Sequence, residues 1–402
     1  MRDLEPIPGD PGDRRLMRAG MLSLALAGRG HATTWFTSSF DHYMKRQRTT
    51  RDETLAAAPN LSIELFRGLG YRRNIGLARI LHNRDFARRW TQFAEASAER
   101  PDVLVTDVPT TEAAEAVVAF GTKNGVPVVL SIRDLWPDFF VDFLPGYLRP
   151  FARPLTTPLD RQVRFAAAHA TSLIGISEGY LDWGRSKGDR QPNVLDRVFP
   201  LGYEIRSRPD AATVAATLQR LGIPQDRSIV GFVGSWGATY DLGLILETAR
   251  RLAGRPDIVF VVAGDADTRP ELRDEFRRLP NVVVPGWLEA AEIAALLSGT
   301  AIGLLTYVAK APQGIPNKVF EYMAYGPYQV ATLGGEITQF YSETNAGRVA
   351  GSDALGKAIV DSLPLGLDAT ARRDRMELFD RRFSAAKVYD AMVDHIEQVA
   401  RR

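Results

Sequence analysis

The sequence contains no cysteine, and this absence excludes disulfide frameworks, zinc sites with thiolate ligands and a cysteine nucleophile. It also lacks a signal peptide and any apolar run of the roughly 18 residues that a membrane-spanning helix needs. The five histidines have no spacing typical of metal ligands. We therefore expect a cytoplasmic protein without metal or cofactor, which reaches the inner face of the plasma membrane only as a peripheral protein.

The net charge is low but unevenly distributed. The whole chain carries +2, whereas residues 1–100 hold 17 Lys or Arg against 11 Asp or Glu. A local excess of positive charge suits an anionic partner, either a bilayer surface or a lipid diphosphate. An ordinary solvated surface is the alternative, and nothing in the sequence indicates a nucleic-acid partner.

The length and the hydrophobic pattern predict two α/β domains. A chain of 402 residues exceeds one ordinary core and fits two domains of about 200 residues each. Short apolar runs alternate with amphipathic stretches, as in parallel sheets covered by helices. The pattern breaks near residues 199–203. We expect one domain at 1–200, a second at 204–382, and a terminal helix within 383–402.

Individual elements follow from the same pattern. The predicted helices are 14–29, 112–124 and one that begins near 384. The predicted strands are 32–37, 102–106, 127–132, 170–176, 228–234, 258–263, 281–284, 300–305 and 328–332.

The densest chemical signal is the run 311–326, Ala-Pro-Gln-Gly-Ile-Pro-Asn-Lys-Val-Phe-Glu-Tyr-Met-Ala-Tyr-Gly. Pro316 predicts the start of a helix, because its φ is already fixed near the helical value. The amides of residues 317–319, including Asn317, lack acceptors within the helix and form an anion site with the helix dipole. Lys318 adds a mobile positive charge, and Gly326 is expected to end the helix.

Two carboxylates accompany this helix. Glu321 lies about a turn further along, where a carboxylate accepts two hydrogen bonds from a ribose diol. After the next strand, Gly334 and Gly335 let the chain approach a ligand before Glu336, at the same edge of the sheet. The arrangement predicts a nucleotide-sugar site; a solvated carboxylate at Glu321 is the alternative.

With its flanking glycines, this segment resembles the donor-binding core of family 4 retaining glycosyltransferases. The resemblance implies the GT-B fold, in which two Rossmann-like domains face a cleft and a terminal helix crosses back to the first. Family members usually carry a Glu-x7-Glu pair, and Gln313 stands in place of the first Glu. A branch with Pro-Asn-Lys before the second Glu, from bacterial surface-polysaccharide assembly, is more similar.

Three glycines surround a strand-to-helix turn at the start of the second domain, at positions 231, 234 and 237. Backbone amides of such a turn can approach a phosphate, and a close-packed turn without a ligand is the alternative. In the family an Arg and a Lys-Gly reach the diphosphate here, but this chain has Ser235 and Tyr240-Asp241 instead. The predicted donor contacts of this turn are Gly234, Ser235, Trp236 and Gly237.

The pair Asp265 and Asp267 follows the next strand and has the Asp-x-Asp spacing of a metal site in another glycosyltransferase fold. No third ligand lies nearby in the sequence, so we reject a metal here. The resemblance instead implies a donor contact at the preceding Gly264.

Arg133 and Asp134 follow the predicted strand 127–132 and so lie at the carboxyl edge of the first sheet. The resemblance implies a His-Asp pair near the transferred sugar, with Arg133 replacing the His. Arg133 could bind a diphosphate, and a structural ion pair with Asp138 is the alternative. The aromatic run 139–149 predicts a core helix, with an exposed apolar patch beside Arg149 as the alternative.

The N-terminal run 5–13 looks like the loop that follows a first strand in similar enzymes, although almost nothing precedes it. We expect Gly9 and Gly12 to belong to an acceptor or diphosphate loop. Alternatively, another segment replaces the first strand, which would change the placement of both glycines.

These observations predict a retaining glycosyltransferase that needs no metal. It would move a hexose or acetamido-hexose from a nucleoside diphosphate sugar, with UDP as the expected nucleotide, to a lipid-linked or saccharide acceptor in surface-polysaccharide assembly. The resemblance implies catalytic roles for Lys318, Glu321, Arg133 and Asp134. The alternatives are a nucleotide-sugar epimerase of related fold and an inactive nucleotide-sugar-binding protein.

Overall fold

A computed structural model describes residues 5–11, 14–142, 144–205, 207–309, 311 and 314–402. The chain divides into two compact units: residues 1–201 with 388–402 form unit 1, and residues 202–387 form unit 2. Both contain parallel sheets covered by helices, which confirms the predicted α/β class.

The first helix of unit 1 among the described residues is followed by several short strands. Its strands are β1 Thr33–Ser38, β2 Phe40–Asp41, β3 Arg46–Gln47, β4 Glu53–Ala58, β5 Leu61–Phe66, β6 Leu104–Val108, β7 Val128–Ile132, β8 Ser172–Gly175 and β9 Arg197–Val198. Its helices are α1 Arg18–Gly28, α2 Leu77–Ala96, α3 Thr111–Asn124, α4 Asp138–Asp142, α5 Arg149–His169 and α6 Glu178–Gly188.

The strands of unit 1 form two larger sheets and one hairpin. One sheet has the order β1-β5-β4, the other is parallel with the order β6-β7-β8-β9, and β2 pairs with β3. Every residue of β7 is buried, as expected for a parallel strand covered on both faces. The carboxyl ends of β6 and β7 carry Asp107 and Arg133.

The segment before α1 has no strand among its described residues. Glu5 and Ile7 are 2% and 5% exposed, and Ile7 packs in a core with Trp35. The helix predicted to begin at residue 14 begins at Arg18. Glu5 is therefore a buried carboxylate that must be paired within unit 1.

The prediction of a core helix for the run 139–149 holds only for its first residues: Val141 is buried in α4, and Phe139 and Phe140 pack against the core. Helix α4 ends at Asp142, and Tyr147 and Phe151 are each 74% exposed. These side chains lie on a surface of α5 and the turn before it.

Unit 2 is a six-stranded parallel sheet with helices on both faces. Its strands are β10 Ser228–Val233, β11 Ile258–Ala263, β12 Val282–Gly286, β13 Thr300–Leu305, β14 Tyr328–Ala331 and β15 Gly347–Val349. Its helices are α7 Ala211–Arg220, α8 Leu242–Arg251, α9 Pro270–Arg277, α10 Ala290–Gly299, α11 Asn317–Tyr325, α12 Glu336–Thr344, α13 Leu355–Leu367 and α14 Ala369–Arg382.

The period-2 geometry of the strands divides the core of unit 2 into two layers. In β10, Val233 contributes to one core cluster and Val230 and Phe232 to the other. The strand order is β12-β11-β10-β13-β14-β15. The chain therefore reverses its direction of progress between β10 and β13, and such a switch point in an open parallel sheet leaves a ligand crevice at the carboxyl ends of the strands.

The last helix, α15, spans Ala385–Ala400. From Val388 onward it belongs to unit 1, where Arg29 pairs with Asp390 and Asp394 and the Nε2 atom of His395 lies 2.9 Å from the Ser172 hydroxyl. In the described part of the chain, no helix has both the length and the hydropathy of a membrane span.

Candidate functional site

The predicted donor residues of unit 2 follow four neighbouring strands. The turn 234–237 follows β10, Gly264 follows β11, α11 follows β13 and α12 follows β14. Because these strands are parallel, their carboxyl ends lie at one edge of the sheet. The sheet thus places the predicted residues together at its switch point.

Helix α11 begins immediately after Pro316, as predicted. Pro316 has φ −65° and ψ 145° at the N-cap, where no side chain caps the helix. The amides of Asn317 and Lys318 have no acceptor among the described residues, but the Val319 amide donates to the Pro316 carbonyl at 3.0 Å. This turn therefore leaves two amides without acceptors among the described residues rather than the predicted three. Gly326, with φ 87°, ends the helix.

The ammonium group of Lys318 lies over the turn after β10. A Cβ atom built on Gly234 would lie 2.8 Å from its Nζ atom, so a side chain at this position would displace the flexible end of Lys318. The same Nζ atom lies 5.9 Å from the ring centroid of Phe232 and 5.8 Å from that of Tyr240. A cation held against aromatic faces keeps its charge within reach of an anion at the adjacent amides.

Glu321 lies one turn after Lys318. Its Oε2 atom is 3.6 Å from the Lys318 Nζ atom, and the two side chains are 19% and 13% exposed. They form the only ion pair of this helix turn in the described part of the chain. A ligand that offers both an anion and a diol could engage both groups.

Tyr322 fixes the position of α11 on the sheet. Its hydroxyl accepts from the Val233 amide and donates to the Leu304 carbonyl, both at 3.2 Å. Burial raises the pKa of Tyr322, so the hydroxyl stays protonated and keeps donating. The hydroxyl therefore connects α11 to both strands that flank the switch point.

The turn 234–237 provides fewer open amides than its glycines suggest. The Gly234 amide donates to the Ala263 carbonyl at 3.1 Å, and the Trp236 amide donates to Asp265 Oδ1. In this turn, only the amides of Ser235 and Gly237 have no acceptor among the described residues.

The prediction for Trp236 needs correction. Its side chain is 2% exposed and packs on Phe276, with ring centroids 5.6 Å apart. Because its backbone amide is also occupied, Trp236 forms part of the core beneath the turn instead of contacting a donor.

Gly264 makes room for the turn after β10. Its φ is 145°, and a Cβ atom there would lie 1.8 Å from the Gly234 carbonyl oxygen. Asp265 holds the Trp236 amide, and Asp267 pairs with Arg273 at 2.5 Å. The described residues include no group of three potential metal ligands.

The loop between β14 and α12 is open. Gly335 is exposed with φ 75° and ψ −131°, a conformation that requires glycine, and it precedes Glu336 at the first position of α12. Glu336 is half-buried. Gln313 lies outside the described residues.

Two tyrosines that follow the strands at the switch point complete the site. The rings of Tyr240 and Tyr307 have centroids 4.8 Å apart, and the Tyr307 hydroxyl donates to that of Tyr240 at 3.5 Å. Burial raises the pKa of Tyr307. Tyr307 belongs to no motif that predicts a site residue. Its position shortly after β13 is the one sequence feature that could have predicted it. Asp241 caps α8 by accepting from the Leu244 amide at 3.0 Å.

Arg133 in unit 1 is buried between carboxylates. It pairs with Glu5 Oε1 and lies 3.9 Å from Asp107 Oδ2, and its side chain is 10% exposed. Burial favours a lower pKa, but the charges of Glu5 and Asp107 outweigh it and raise the pKa of Arg133. The alternative partner Asp138 binds Lys187 instead, at 2.7 Å.

The other predicted residues of unit 1 lie in loops. The Asp134 carboxylate accepts from the Leu135 amide at 3.0 Å. Gly9 has φ 88° and precedes Asp10, which accepts two hydrogen bonds from Arg48. Gly12 lies outside the described residues.

Two family models match the chain. One described as a glycosyl transferase 4-like domain matches residues 17–202, and one described as glycosyl transferases group 1 matches residues 227–363. No curated protein matches the sequence.

Solved glycosyltransferase structures share the fold. HepE of Anabaena in complex with UDP is 16% identical, with 99% of this chain and 98% of that chain covered and a TM-score of 0.66. An α,α-trehalose-phosphate synthase (UDP-forming) of Burkholderia xenovorans in complex with glucose-6-phosphate is 14% identical, over 100% of this chain and 99% of that chain, with a TM-score of 0.65. WaaG, a glycosyltransferase involved in lipopolysaccharide biosynthesis, is 14% identical over 94% of both chains, with a TM-score of 0.58.

The two models both describe glycosyltransferases and together span most of the chain. The solved structures extend the similarity in fold to nearly its full length. The chain therefore matches glycosyltransferase domain models over residues 17–202 and 227–363 and shares the GT-B fold, with two Rossmann-like domains, with the solved structures.

Proposed function

We propose that the protein is a retaining glycosyltransferase that transfers a hexose or acetamido-hexose from a nucleoside diphosphate sugar. The observation that carries the proposal is the arrangement at α11, where Lys318 lies against Gly234 beside two amides without acceptors. Helix amides and a lysine together match the charge of a diphosphate.

Glu321 favours a nucleotide as the carrier of that diphosphate. Its carboxylate lies in the same turn as the anion site, and a carboxylate accepts two hydrogen bonds from a ribose diol. UDP is the nucleotide we propose, because the HepE neighbour was crystallised with UDP and with UDP-glucose.

The chemistry follows from the position of the charges. The acceptor hydroxyl attacks the anomeric carbon from the face that the diphosphate leaves, and the leaving phosphate oxygen takes the hydroxyl proton. Lys318 and the amides of Asn317 and Lys318 stabilise the charge that develops on the diphosphate, which is the main catalytic contribution. Catalysis in this scheme uses no metal and no protein base.

For the acceptor we propose a lipid-linked or saccharide acceptor of a surface polysaccharide, used at the inner face of the plasma membrane. The glucose-6-phosphate complex of the trehalose-phosphate synthase neighbour supports a saccharide acceptor, whereas the lipid-linked form and the membrane location stay predictions.

Binding and product analysis test the proposal. In a thermal-shift screen of nucleoside diphosphates and their sugars, UDP should raise the Tm of the full chain, because it binds the folded state alone. Incubation with a UDP-sugar should then release UDP, and the product should keep the anomeric configuration of the donor by NMR. Conversion of the donor into an epimer without an acceptor, or binding without turnover, would contradict transferase activity.

A further inference from the structure

Unit 2 contains a cavity at the end of its sheet that lies opposite the predicted donor residues. The cavity has a volume of about 440 Å³ and is lined by α7, the start of β10, the last residues of α10 and α11, and α14. Ile229 lines it near the start of β10, whereas the turn 234–237 follows the end of that strand. Because a strand rises about 3.3 Å per residue, the six residues of β10 separate the two places by about 20 Å.

Three arginines from separate segments of the chain line this cavity. Arg208 precedes α7, Arg227 precedes β10, and Arg372 belongs to α14. None of the described residues that line the cavity is Asp or Glu. Like charges that share a cavity repel one another unless an anion lies between them. The lining therefore favours an anionic ligand.

Two of the arginines already have partners outside the cavity lining or in the backbone. Arg208 pairs with Asp380 through both terminal nitrogens, at 2.9 and 2.8 Å. Arg372 donates to backbone carbonyls at the ends of α10 and α11, those of Ser298 at 2.6 Å and Tyr325 at 2.7 Å. These carbonyls carry the partial negative charge of the helix ends, which by itself would disfavour an anion. The charge of Arg372 offsets it.

The third arginine, Arg227, retains its charge for a further partner. It is half-buried, and its side chain makes neither a hydrogen bond nor an ion pair with a described residue. A guanidinium presents its N–H donors in a fixed fork, which matches two oxygens of a carboxylate or a phosphate. Arg227 is therefore the residue of this cavity that an anion would engage first.

Another part of the lining is apolar and sets the kind of anion that fits. Val214 and Met376 are half-buried there, and Ile229 lies beside them at the start of β10. The volume lies within the range of about 300–1,000 Å³ that is usual for sites of small organic ligands. A free inorganic phosphate would leave most of this space to water, whereas an anion with an apolar body would bury the apolar side chains.

We propose that this cavity, which we name the Arg227 cavity, binds a small organic anion. Its phosphate or carboxylate group pairs with Arg227, and its apolar body packs against Val214, Ile229 and Met376. This goes beyond the proposed transfer reaction, because the Arg227 cavity shares no residue with the predicted donor site.

Isothermal titration of the full chain with phenyl phosphate tests the proposal. Saturating UDP is present, so that phenyl phosphate does not occupy the donor site. Phenyl phosphate should bind at a single site, and inorganic phosphate should bind about tenfold more weakly, because it lacks an apolar ring to bury. The neutral analogue benzyl alcohol should show no binding. A parallel titration with benzoate shows whether a phosphate or a carboxylate binds more tightly.

Two variants locate the binding. Arg227→Gln should weaken phenyl phosphate binding about tenfold to a hundredfold, because a hydrogen bond to a charged group is lost. Ala215→Trp fills the cavity from α7 and keeps all of its charges, so it should abolish binding. Lys318→Ala should bind phenyl phosphate as the wild type does, which separates this result from any failure of the proposed donor site.

Matched controls come from the same unit. Arg278 is exposed, and its side chain has no hydrogen bond or ion pair among the described residues. Arg278→Gln therefore removes an equivalent charge away from the cavity. Ala216 is exposed on α7 and does not line the cavity, so Ala216→Trp places the same ring on the outer face of this helix. Both controls should bind phenyl phosphate with wild-type affinity.

Three outcomes would overturn the proposal. Unchanged affinity in Arg227→Gln and in Ala215→Trp would remove the ligand from the Arg227 cavity. Competition between UDP and phenyl phosphate, together with loss of phenyl phosphate binding in Lys318→Ala, would assign the binding to the donor site. Equal binding of benzyl alcohol and phenyl phosphate would show that the ligand needs no anionic group.

Discussion

Two basic side chains that follow parallel strands, Arg133 in unit 1 and Lys318 in unit 2, have opposite electrostatic surroundings. Arg133 is enclosed with Glu5 and Asp107, whereas Lys318 has one carboxylate at 3.6 Å and lies beside open amides. A cation that buried carboxylates already neutralise stabilises the fold. A cation that the protein pairs only weakly can also bind an anionic ligand. Of the two basic residues predicted to bind a diphosphate, Arg133 is thus already neutralised by buried carboxylates, and a ligand role stays a prediction for Lys318.

Arg133→Ala should give the largest effect, and it should affect stability. Removing the guanidinium breaks its buried ion pair with Glu5, which should lower the free energy of unfolding by about 3–5 kcal/mol. Urea denaturation measures this change. The double variant Glu5→Gln with Arg133→Met should recover much of the loss. Unchanged stability with lost UDP affinity would make Arg133 a donor ligand after all.

Lys318→Ala should lower kcat by about 10²–10³-fold, with the fold retained, because the charge on the leaving diphosphate loses its counterion. Initial rates with a UDP-sugar and the Tm of the free protein measure the two parts of this prediction. Lys357→Ala is the matched control, since Lys357 pairs with Asp361 on the surface of the same unit. A kcat equal to that of the control would remove Lys318 from the mechanism.

Glu321→Gln should weaken UDP binding roughly tenfold to a hundredfold, because a hydrogen bond to a charged group contributes about 1.5–3 kcal/mol. Isothermal titration with UDP and with its 2′,3′-dideoxy analogue separates the ribose contact from other effects. The variant and the wild type should bind the analogue with similar affinity. A full loss with the analogue as well would place the ribose elsewhere.

His395 provides the smallest expected effect, a pH dependence of unit 1. Burial, followed by the charge of Arg197, lowers the pKa of His395 to about 4. The unfolded state, with a pKa near 6.5, therefore binds a proton that the folded state does not. Stability is complete above the unfolded pKa and falls as the pH drops toward the folded pKa.

We expect a loss of about 1 kcal/mol between about pH 6.5 and about pH 5.5. The variant His395→Asn should lack this part of the pH dependence in urea denaturation at the two pH values. Identical slopes for the variant and the wild type would contradict the assignment to His395.

Local sequence rules predicted the elements of unit 2 closely. The strands expected at 258–263 and 300–305 have those bounds, because uninterrupted apolar runs of this length suit buried parallel strands. Pro316 and Gly326 mark the ends of α11, because each residue restricts its own backbone. The spacing of Lys318 and Glu321 on one helix turn follows from the same local geometry.

Predictions that depended on burial or on distant partners were less successful. The aromatic run 139–149 packs on the core only at its start, and Tyr147 is exposed, because hydrophobicity alone does not reveal whether another element covers a side chain. Trp236 lies in a glycine-rich turn and was expected to contact the donor. Its ring instead packs on Phe276 in the core below the turn.

The sequence by itself determined which residues begin and end α11 and that its first turn carries backbone amides without acceptors in the helix. The tertiary structure decided that Lys318 lies against Gly234 and that the Val319 amide donates to the Pro316 carbonyl. It also decided that Glu5 pairs with Arg133. The physical reason is that caps and turns depend on neighbours in the chain, whereas ion pairs and close approaches depend on the order of strands in a sheet, which hydrophobic periodicity does not encode.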